Sequence, residues 1–322
     1  MLNIFLDGAS QGLIWAVLAL GVFVSFRLLD FADLSCEGCI TCGASVSAML
    51  LWLNVHPLLA LLASFLAGCL AGAFTGVLHT KLRIPPILAG ILTMIALYSI
   101  NIHIMSIATG SSGTANLSLL GFHNDTLFGK ISILTGLSRK YTSLIVGFLF
   151  SAAVIGILYW FFGTELGCTI RATGDNEKMC RAQGINTDLT KILGLSLSNG
   201  LIALSGGLIA QQQGYSDVNM GTGAIVIGLA SIIIGETLFA KARGFLLKLV
   251  SVVCGSVIYR VVVAFVIYSG MPTSDLKLMT AAVVIVALSL TTFKDQIVAF
   301  FKRLFPKREA APKADGEEEA QE

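Results

Sequence analysis

The chemistry available to this chain rests on a few polar side chains set in apolar surroundings. Cys36, Cys39 and Cys42 stand at C-x2-C-x2-C spacing, the opening of an iron–sulfur cluster motif. The fourth cysteine and its proline are missing, because Gly43-Ala44-Ser45 follows. On a helix the three thiols spread over about 120° of the surface. They also fall in a row of small residues with Ser35, Gly43 and Ser47. That row points to helix packing, with metal or redox chemistry as the alternative. Cys69, Cys168, Cys180 and Cys254 are scattered, and no His-Glu-x-x-His spacing surrounds His56, His79, His103 or His123. His103, inside an apolar run, suits a hydrogen bond to a neighbouring helix better than a proton relay. The ionisable residues in apolar runs are more informative: Arg260, Glu236, Asp33 and Glu37, with Arg27 and Asp30 nearby. Charges in hydrocarbon are costly, so such groups face a bundle interior and either line a pathway or pair between helices. Pairing is the expectation for Arg27 and Glu236, whereas both roles stay open for Asp33 and Glu37.

The elements that hold these groups are dictated by composition. Of 322 residues, 55% are hydrophobic and 12% charged, with a net charge of +2. Soluble domains carry roughly 25% charged residues, and a nucleic-acid surface needs a strong basic excess. A soluble enzyme and a nucleic-acid partner are both excluded. The charges cluster after Phe293 and between Glu165 and Lys191, leaving long tracts almost free of them. A helix needs roughly 20 apolar residues to cross a bilayer. Nine stretches qualify: 9–26, 36–54, 57–79, 87–109, 141–163, 192–213, 222–240, 245–268 and 276–293. Their apolar runs are continuous and lack the two-residue alternation of a membrane barrel. The fold expected is therefore all-α, a polytopic helical membrane protein with about nine (eight to ten) transmembrane helices. The stretch near Asp33 and the stretch 222–240 are the places where a helix could break or re-enter.

Lys and Arg give the orientation. With the N-terminus outside, sixteen of them fall in inner loops and the tail, against four outside. The C-terminus is then cytoplasmic. No Lys or Arg precedes the first apolar run, which speaks against a cleavable signal peptide. Gly68, Gly72 and Gly76 form a second small-residue row that lets backbones approach closely. Residues 1–304 form a single membrane domain on this reading, and the polar, repetitive 305–322 a disordered cytoplasmic tail.

One inner loop, 164–191, stands apart. Thr173 or Asp175 can cap a helix over about 174–185 whose first turn carries Glu177 and which Gly184 stops. Met179, Ala182 and Ile185 share one side, Lys178 and Arg181 the other. Such a helix can dock on a partner or lie on the membrane.

The residues of this loop, Arg171-Ala-Thr-Gly-Asp175-Asn176, Met179 and Gly184-Ile185-Asn-Thr, resemble the coupling-helix segment of inner-membrane permeases of bacterial ABC importers. The resemblance is to the permeases that serve branched-chain amino acids, ribose and nucleosides, and within them to the tryptophan/tyrosine branch. Gly12-Leu-Ile-Trp-Ala-Val-Leu-Ala-Leu-Gly21, Leu29-Asp-Phe-Ala-Asp33-Leu-Ser-Cys-Glu37-Gly, Gly228-Leu-Ala-Ser-Ile-Ile-Ile-Gly-Glu236 and Ile258-Tyr-Arg260 agree with it. It implies a permease of the bacterial inner membrane that moves a small solute by alternating access, the aromatic amino acids being one class. It implies an ATPase contact at Arg171, Asp175, Asn176, Met179, Ala182, Gly184 and Ile185. It also implies three partners: an ABC ATPase subunit, an extracytoplasmic solute-binding protein and a second permease copy, all in contact with membrane lipid or each other. No cofactor belongs to this chain. ATP and Mg would sit on the ATPase, since no G-x-x-x-x-G-K-[ST] occurs and Gly129-Lys130 is followed by Ile131. The alternative is a stand-alone proton- or sodium-coupled carrier using Asp33, Glu37 or Glu236.

Overall fold

A computed structural model describes residues 1–122, 124–239 and 244–269, with isolated positions between 275 and 289. Most of the ninth apolar stretch, 276–293, and the tail 305–322 lie outside the described residues. Six helices are long and apolar enough to cross a membrane: the span Ile4–Leu28, which runs from α1 (Leu2–Val22) through a π-helical turn (Phe23–Leu28), then α3 (Pro57–Thr80), α4 (Pro86–Thr109), α6 (Arg139–Phe162), α9 (Thr187–Gln213) and α11 (Phe245–Tyr268). Two further apolar helices are shorter, α2 (Cys36–Trp52) and α10 (Ala224–Leu238). Eight of the nine stretches are therefore helical, and among the described residues six of them are full spans. At 1.5 Å per residue, α10 reaches only about 22 Å, less than a hydrocarbon core. The two short helices are those that follow the breaks, at 29–35 and 218–223.

Local chemistry explains the boundaries. Pro57 and Pro86 occupy first-turn positions, where a missing N–H costs nothing. The ring of His56 accepts from the Leu58 amide at 3.3 Å. Gly110 and Gly214 close α4 and α9 in the left-handed conformation (φ +65° and +80°). In the π turn the Leu29 amide reaches the Val24 carbonyl at 3.1 Å, five residues back. Asp30 then takes a positive φ of 51° and the chain leaves the helix.

Burial identifies the centre of the bundle. In the apolar windows, 83% of the first span and 72% of α9 are buried, against 28% for α4 and for α6. Helix α9 packs against α1, α2 and α3, while α11 packs against α1 and α10. The small-residue rows make these approaches. A β-carbon on Gly43 would overlap the Ala203 carbonyl, and one on Gly72 the Leu195 carbonyl. Gly206 meets the Ile40 backbone from the other side. Both rows are consumed inside the chain, so neither serves as the face that a second copy would bury. The three thiols of the cysteine row are buried in α2, and Cys36 Sγ donates to the Asp33 carbonyl at 3.0 Å. His103 lies exposed on α4.

The all-α expectation needs one correction. The polar stretch 110–140 holds β1 (Asn116–Ser118), a 3-10 turn (Leu120–Phe122) and α5 (Leu127–Thr135). Strand β1 pairs antiparallel with β2 (Tyr215–Asp217), just after α9, with Leu117 opposite Ser216. Three residues per strand are too short to register as alternation in a sequence. On the opposite side of the bundle lie α7 (Glu165–Asp175) and α8 (Glu177–Ala182).

The glycine contacts give a paired expectation. Gly43→Ala should lower the thermal midpoint of the purified protein by several degrees, as overpacking costs about 1–3 kcal/mol. Gly156→Ala, where a β-carbon meets nothing within 4 Å, should be neutral or slightly stabilising. Indistinguishable midpoints would show that α2 and α9 do not approach backbone to backbone.

Candidate functional site

Two polar regions stand out, one in the 164–191 loop and one among the buried helix breaks. The loop is built differently from the single helix expected over 174–185. Thr164 caps α7 through the Gly167 amide at 3.4 Å, and this helix runs on to Asp175. Neither expected cap acts as one. Thr173 Oγ1 donates to the Thr169 carbonyl at 2.7 Å and lies 3.1 Å from Thr190 Oγ1, and Asp175 ends α7. Asn176 is extended (φ −155°, ψ 93°) and its Oδ1 accepts from the Met179 amide at 3.0 Å. An asparagine side chain mimics a backbone acceptor better here, because the residue itself has left the helix. Helix α8 is then a single six-residue turn, and Gly184 (φ +82°) closes it as expected.

This turn is fixed from below and open above. Glu177 accepts from Lys191 at 2.8 Å and from Arg181 at 2.9 Å. Arg181 also reaches Asp188 at 3.1 Å and Thr187 Oγ1 at 2.7 Å. Lys191 donates to His79 Nε2 at 3.4 Å, and His79 Nδ1 donates to the Ile84 carbonyl at 2.8 Å. A carbonyl and an ammonium thus fix the ring as the neutral Nδ1–H tautomer. The chain of contacts ties α8 to the starts of α9 and the end of α3. The hydrogen bond from Lys191 holds the Glu177 carboxyl below the ordinary carboxylate range, against partial burial, with Lys191 and Arg181 charges adding to it. Below α7, Gly174 sits on the Leu28 carbonyl, and the Arg171 guanidinium lies 5.0 Å from the Phe245 ring centre. Cys180 is buried inward, while Met179 is 45% exposed and Ala182 exposed, with Ile185 half-buried.

The polar groups near the helix breaks resolve into four separate arrangements. Asp33 is fully buried and accepts from the Ser35 amide at 2.8 Å and Asn199 Nδ2 at 2.7 Å. Asn199 also donates to Ser35 Oγ at 3.1 Å, joining the first break to the middle of α9. Glu37 accepts from the Gly223 amide at 2.9 Å and lines a cleft of about 450 Å³ with Thr41, Tyr98, Asn101 and Asn219. Glu236 pairs with Arg27 through two bonds, 2.8 and 3.0 Å, the geometry of a fork on a carboxylate. Arg260 has no carboxylate partner among the described residues, and its Cζ lies 3.7 Å from the Trp15 ring centre. The four ionisable residues singled out in the sequence therefore do not converge on one centre. Among the described residues, no three His, Cys, Asp or Glu side chains gather to hold a metal ion.

Sequence reading missed Asn199, Asn101, Trp15, Lys191 and His79. Asn199 had a usable signal, an amide in the middle of an apolar span, where a polar group must find a partner. The others needed the fold, because nothing in their neighbours sets them apart.

Comparison with known proteins agrees on one class. Residues 4–288 match the family described as branched-chain amino acid transport system / permease component. The chain is 42% identical over 299 residues to a tyrosine transport system permease protein of Clostridioides difficile, covering 92% of this chain and 95% of that one. It is 31% identical over 188 residues to the ribose import permease protein of Escherichia coli K12, covering 58% and 54%. Among solved structures, a metal-chelate type ABC transporter in an inward-facing conformation is similar at 20% identity and a TM-score of 0.45, covering 91% of this chain and 87% of that one.

The ion network of α8 predicts a pH dependence. A carboxyl held below its unfolded pKa stabilises the fold above that unfolded value, and the contribution disappears as pH falls through the folded pKa. Amide exchange over 177–182 should therefore be slow at neutral pH and accelerate below the usual carboxylate range. Glu177→Gln should remove this dependence at a cost of about 0.5–1 kcal/mol, the scale of half-exposed pairs. Exchange that follows intrinsic chemistry alone across pH 3–7 in both proteins would disprove the coupling.

Proposed function

The chain belongs to the permease components of branched-chain amino acid transport systems, membrane subunits of ABC-type importers of small solutes, and on that premise we propose how it works and what it carries. Two copies pair across a two-fold axis, because one chain offers one α8 and an ABC engine has two ATPase subunits. ATP hydrolysis with its Mg takes place on those separate subunits. An extracytoplasmic binding protein delivers the solute, an aromatic amino acid such as tyrosine. The reading of the solute is supported by the 42% identical relative named for tyrosine transport. The excess of Lys and Arg on the 164–191 side and in the tail supports a cytoplasmic position for both. The apolar outer faces of α3, α4 and α6, with Leu66, Leu70, Leu92, Phe148 and Leu149 exposed, suit lipid.

The observation that carries the proposal is the state of α8. Its Met179 and Ala182 face outward while Glu177, Arg181 and Lys191 lock its other side to α3 and α9. A rigid turn with an exposed small and apolar face transmits a push, whereas a solvated connector needs no such anchoring. Arg171, Asp175, Asn176 and Ile185 frame this face. Closure of the ATPase pair would move α7 and α8 together, and through Gly174 and Lys191 the first break, the start of α9 and the end of α3. This is alternating access driven from the cytoplasmic end. A proton- or sodium-coupled carrier lacks a comparable observation, since Asp33, Glu37 and Glu236 each already accept hydrogen bonds within the fold.

Ala182→Trp is the direct test. Its side chain is exposed, so insertion and folding of the permease should stay normal. Co-purification of the ATPase, or uptake driven by it, should fall by about tenfold or more, as overpacking a fitted contact costs about 1–3 kcal/mol. Gly184→Asp would be a less clean variant, because at φ +82° any β-carbon is strained and α8 itself would be disturbed. Undiminished ATP-driven uptake in Ala182→Trp would remove the docking role and restore the carrier reading.

A further inference from the structure

Arg260 lies sixteen residues into α11 and has no carboxylate partner among the described residues, whereas three other cations do. Arg27 has Glu236 at 2.8 Å, Lys140 has Asp7 at 2.9 Å, and Lys191 has Glu177 at 2.8 Å. No described carboxylate pairs with Arg260, and its Nε is shut off from solvent without an acceptor. The guanidinium is instead stacked on Trp15, which is 7% exposed. Stacking satisfies one face of the plane, and the edge that carries Nε is left without an acceptor there.

That edge lies between two clefts. One, of about 260 Å³, is lined by Asp7, Gln11, Arg260 and Tyr268 along α1 and α11. The other, of about 390 Å³, is lined by Trp15, Thr222, Gly223, Val226 and Arg260 beneath the start of α10. Arg260 is the polar residue that both share, together with the apolar Val263 and Ile267. The acids nearby are already engaged. Asp7 in the first cleft is held by Lys140, and Glu37, across the Thr222–Gly223 turn from the second, accepts from the Gly223 amide. A cation sixteen residues into a 24-residue apolar helix, with the local acids taken, is a site that an incoming anion completes.

We propose that Arg260, stacked on Trp15, binds the carboxylate of the imported solute as it passes between these two clefts. The guanidinium fork accepts a planar carboxylate through two parallel hydrogen bonds. Trp15 holds that fork in register and offers an apolar edge to an aromatic or aliphatic side chain. The second cleft is of the size that small organic ligands occupy. The inference rests on the importer reading and adds to it the residue that reads the solute's carboxylate.

The test uses the full chain in phosphatidylcholine nanodiscs, with Trp52→Phe and Trp160→Phe leaving Trp15 as its single tryptophan. Tyrosine should change Trp15 emission saturably. Tyramine, which lacks the carboxylate, should need about tenfold or higher concentration, as loss of a charged hydrogen bond is worth about 1.5–3 kcal/mol. Arg260→Gln should abolish the difference between the two probes, and Arg260→Lys should keep part of it. In proteoliposomes holding permease, ATPase and binding protein, Arg260→Gln should lower uptake of labelled tyrosine by a similar factor. An equal response to tyrosine and tyramine overturns the proposal, as does tyrosine uptake undiminished in Arg260→Gln. So does a Trp15 change produced by phosphatidylglycerol alone that tyrosine cannot displace, which would assign the site to a lipid phosphate. Failure of the importer reading looks different: the wild-type assembly would then show no ATP-dependent uptake at all, whatever Trp15 reports.

Discussion

The bundle depends on how closely α9 is approached by its neighbours. Gly43 of α2, Gly68 and Gly72 of α3, and Gly206 of α9 itself bring backbone against backbone. In a lipid environment no hydrophobic force draws helices together, so such contacts and interhelical hydrogen bonds must suffice. Asn199 sits where these approaches cross. Gly68 and Gly72 both border it, and its amide reaches across to Asp33 and Ser35 in the first break. Ser64 and Ser198 reinforce the same packing by donating to the Gly43 and Gly21 carbonyls at 2.8 Å. Because the crossing is fixed, the segments around it can move as units.

Two ends of the molecule are thereby connected. At one end, Glu177, Lys191 and His79 bind α8 to α9 and α3; in the middle, Asp33 and Asn199 bind the first break to α9. Phe31, between that break and the C-terminal end of α3, packs edge-on against the His79 ring at 5.1 Å. A displacement of α8 therefore reaches the base of α2 through side chains in direct contact. Glu37 is the next polar residue along α2, where it meets the turn that starts α10. The path from the exposed turn to the Glu37 cleft thus runs through ion pairs, hydrogen bonds and one aromatic contact.

Much of this was legible in the sequence, and the pattern of what was not is physical. Length and apolarity located eight helices, because hydrocarbon imposes both on any spanning segment. The polar residues before Cys36 and Ala224, with Asp30 and Asp33 in one stretch and Asp217 and Asn219 in the other, marked the two places where a helix could break, and the two short helices begin there. The pairing of Arg27 with Glu236 followed from the cost of leaving either alone. The cap of α8 did not, because Thr173, Asp175 and Asn176 are all good capping residues and only the backbone bend at Asn176 selects among them. The β1–β2 ribbon and the solitary position of Arg260 over Trp15 join residues more than 90 positions apart. No local pattern encodes such meetings.

The π-helical turn at Phe23–Leu28 has a further consequence. Such a turn holds one residue more than the α-helix around it needs, and its length sets the direction in which Arg27 leaves the span. A single-codon deletion within it would restore ordinary α-helical winding, and because the wider turn sweeps nearly the same angle with one residue more, the chain beyond it would keep its phase. Only side chains inside the turn would change direction, Arg27 and its pairing with Glu236 among them, while Asp33 would stay opposite Asn199. The extra residue therefore sets how Arg27 is presented without disturbing the break that follows.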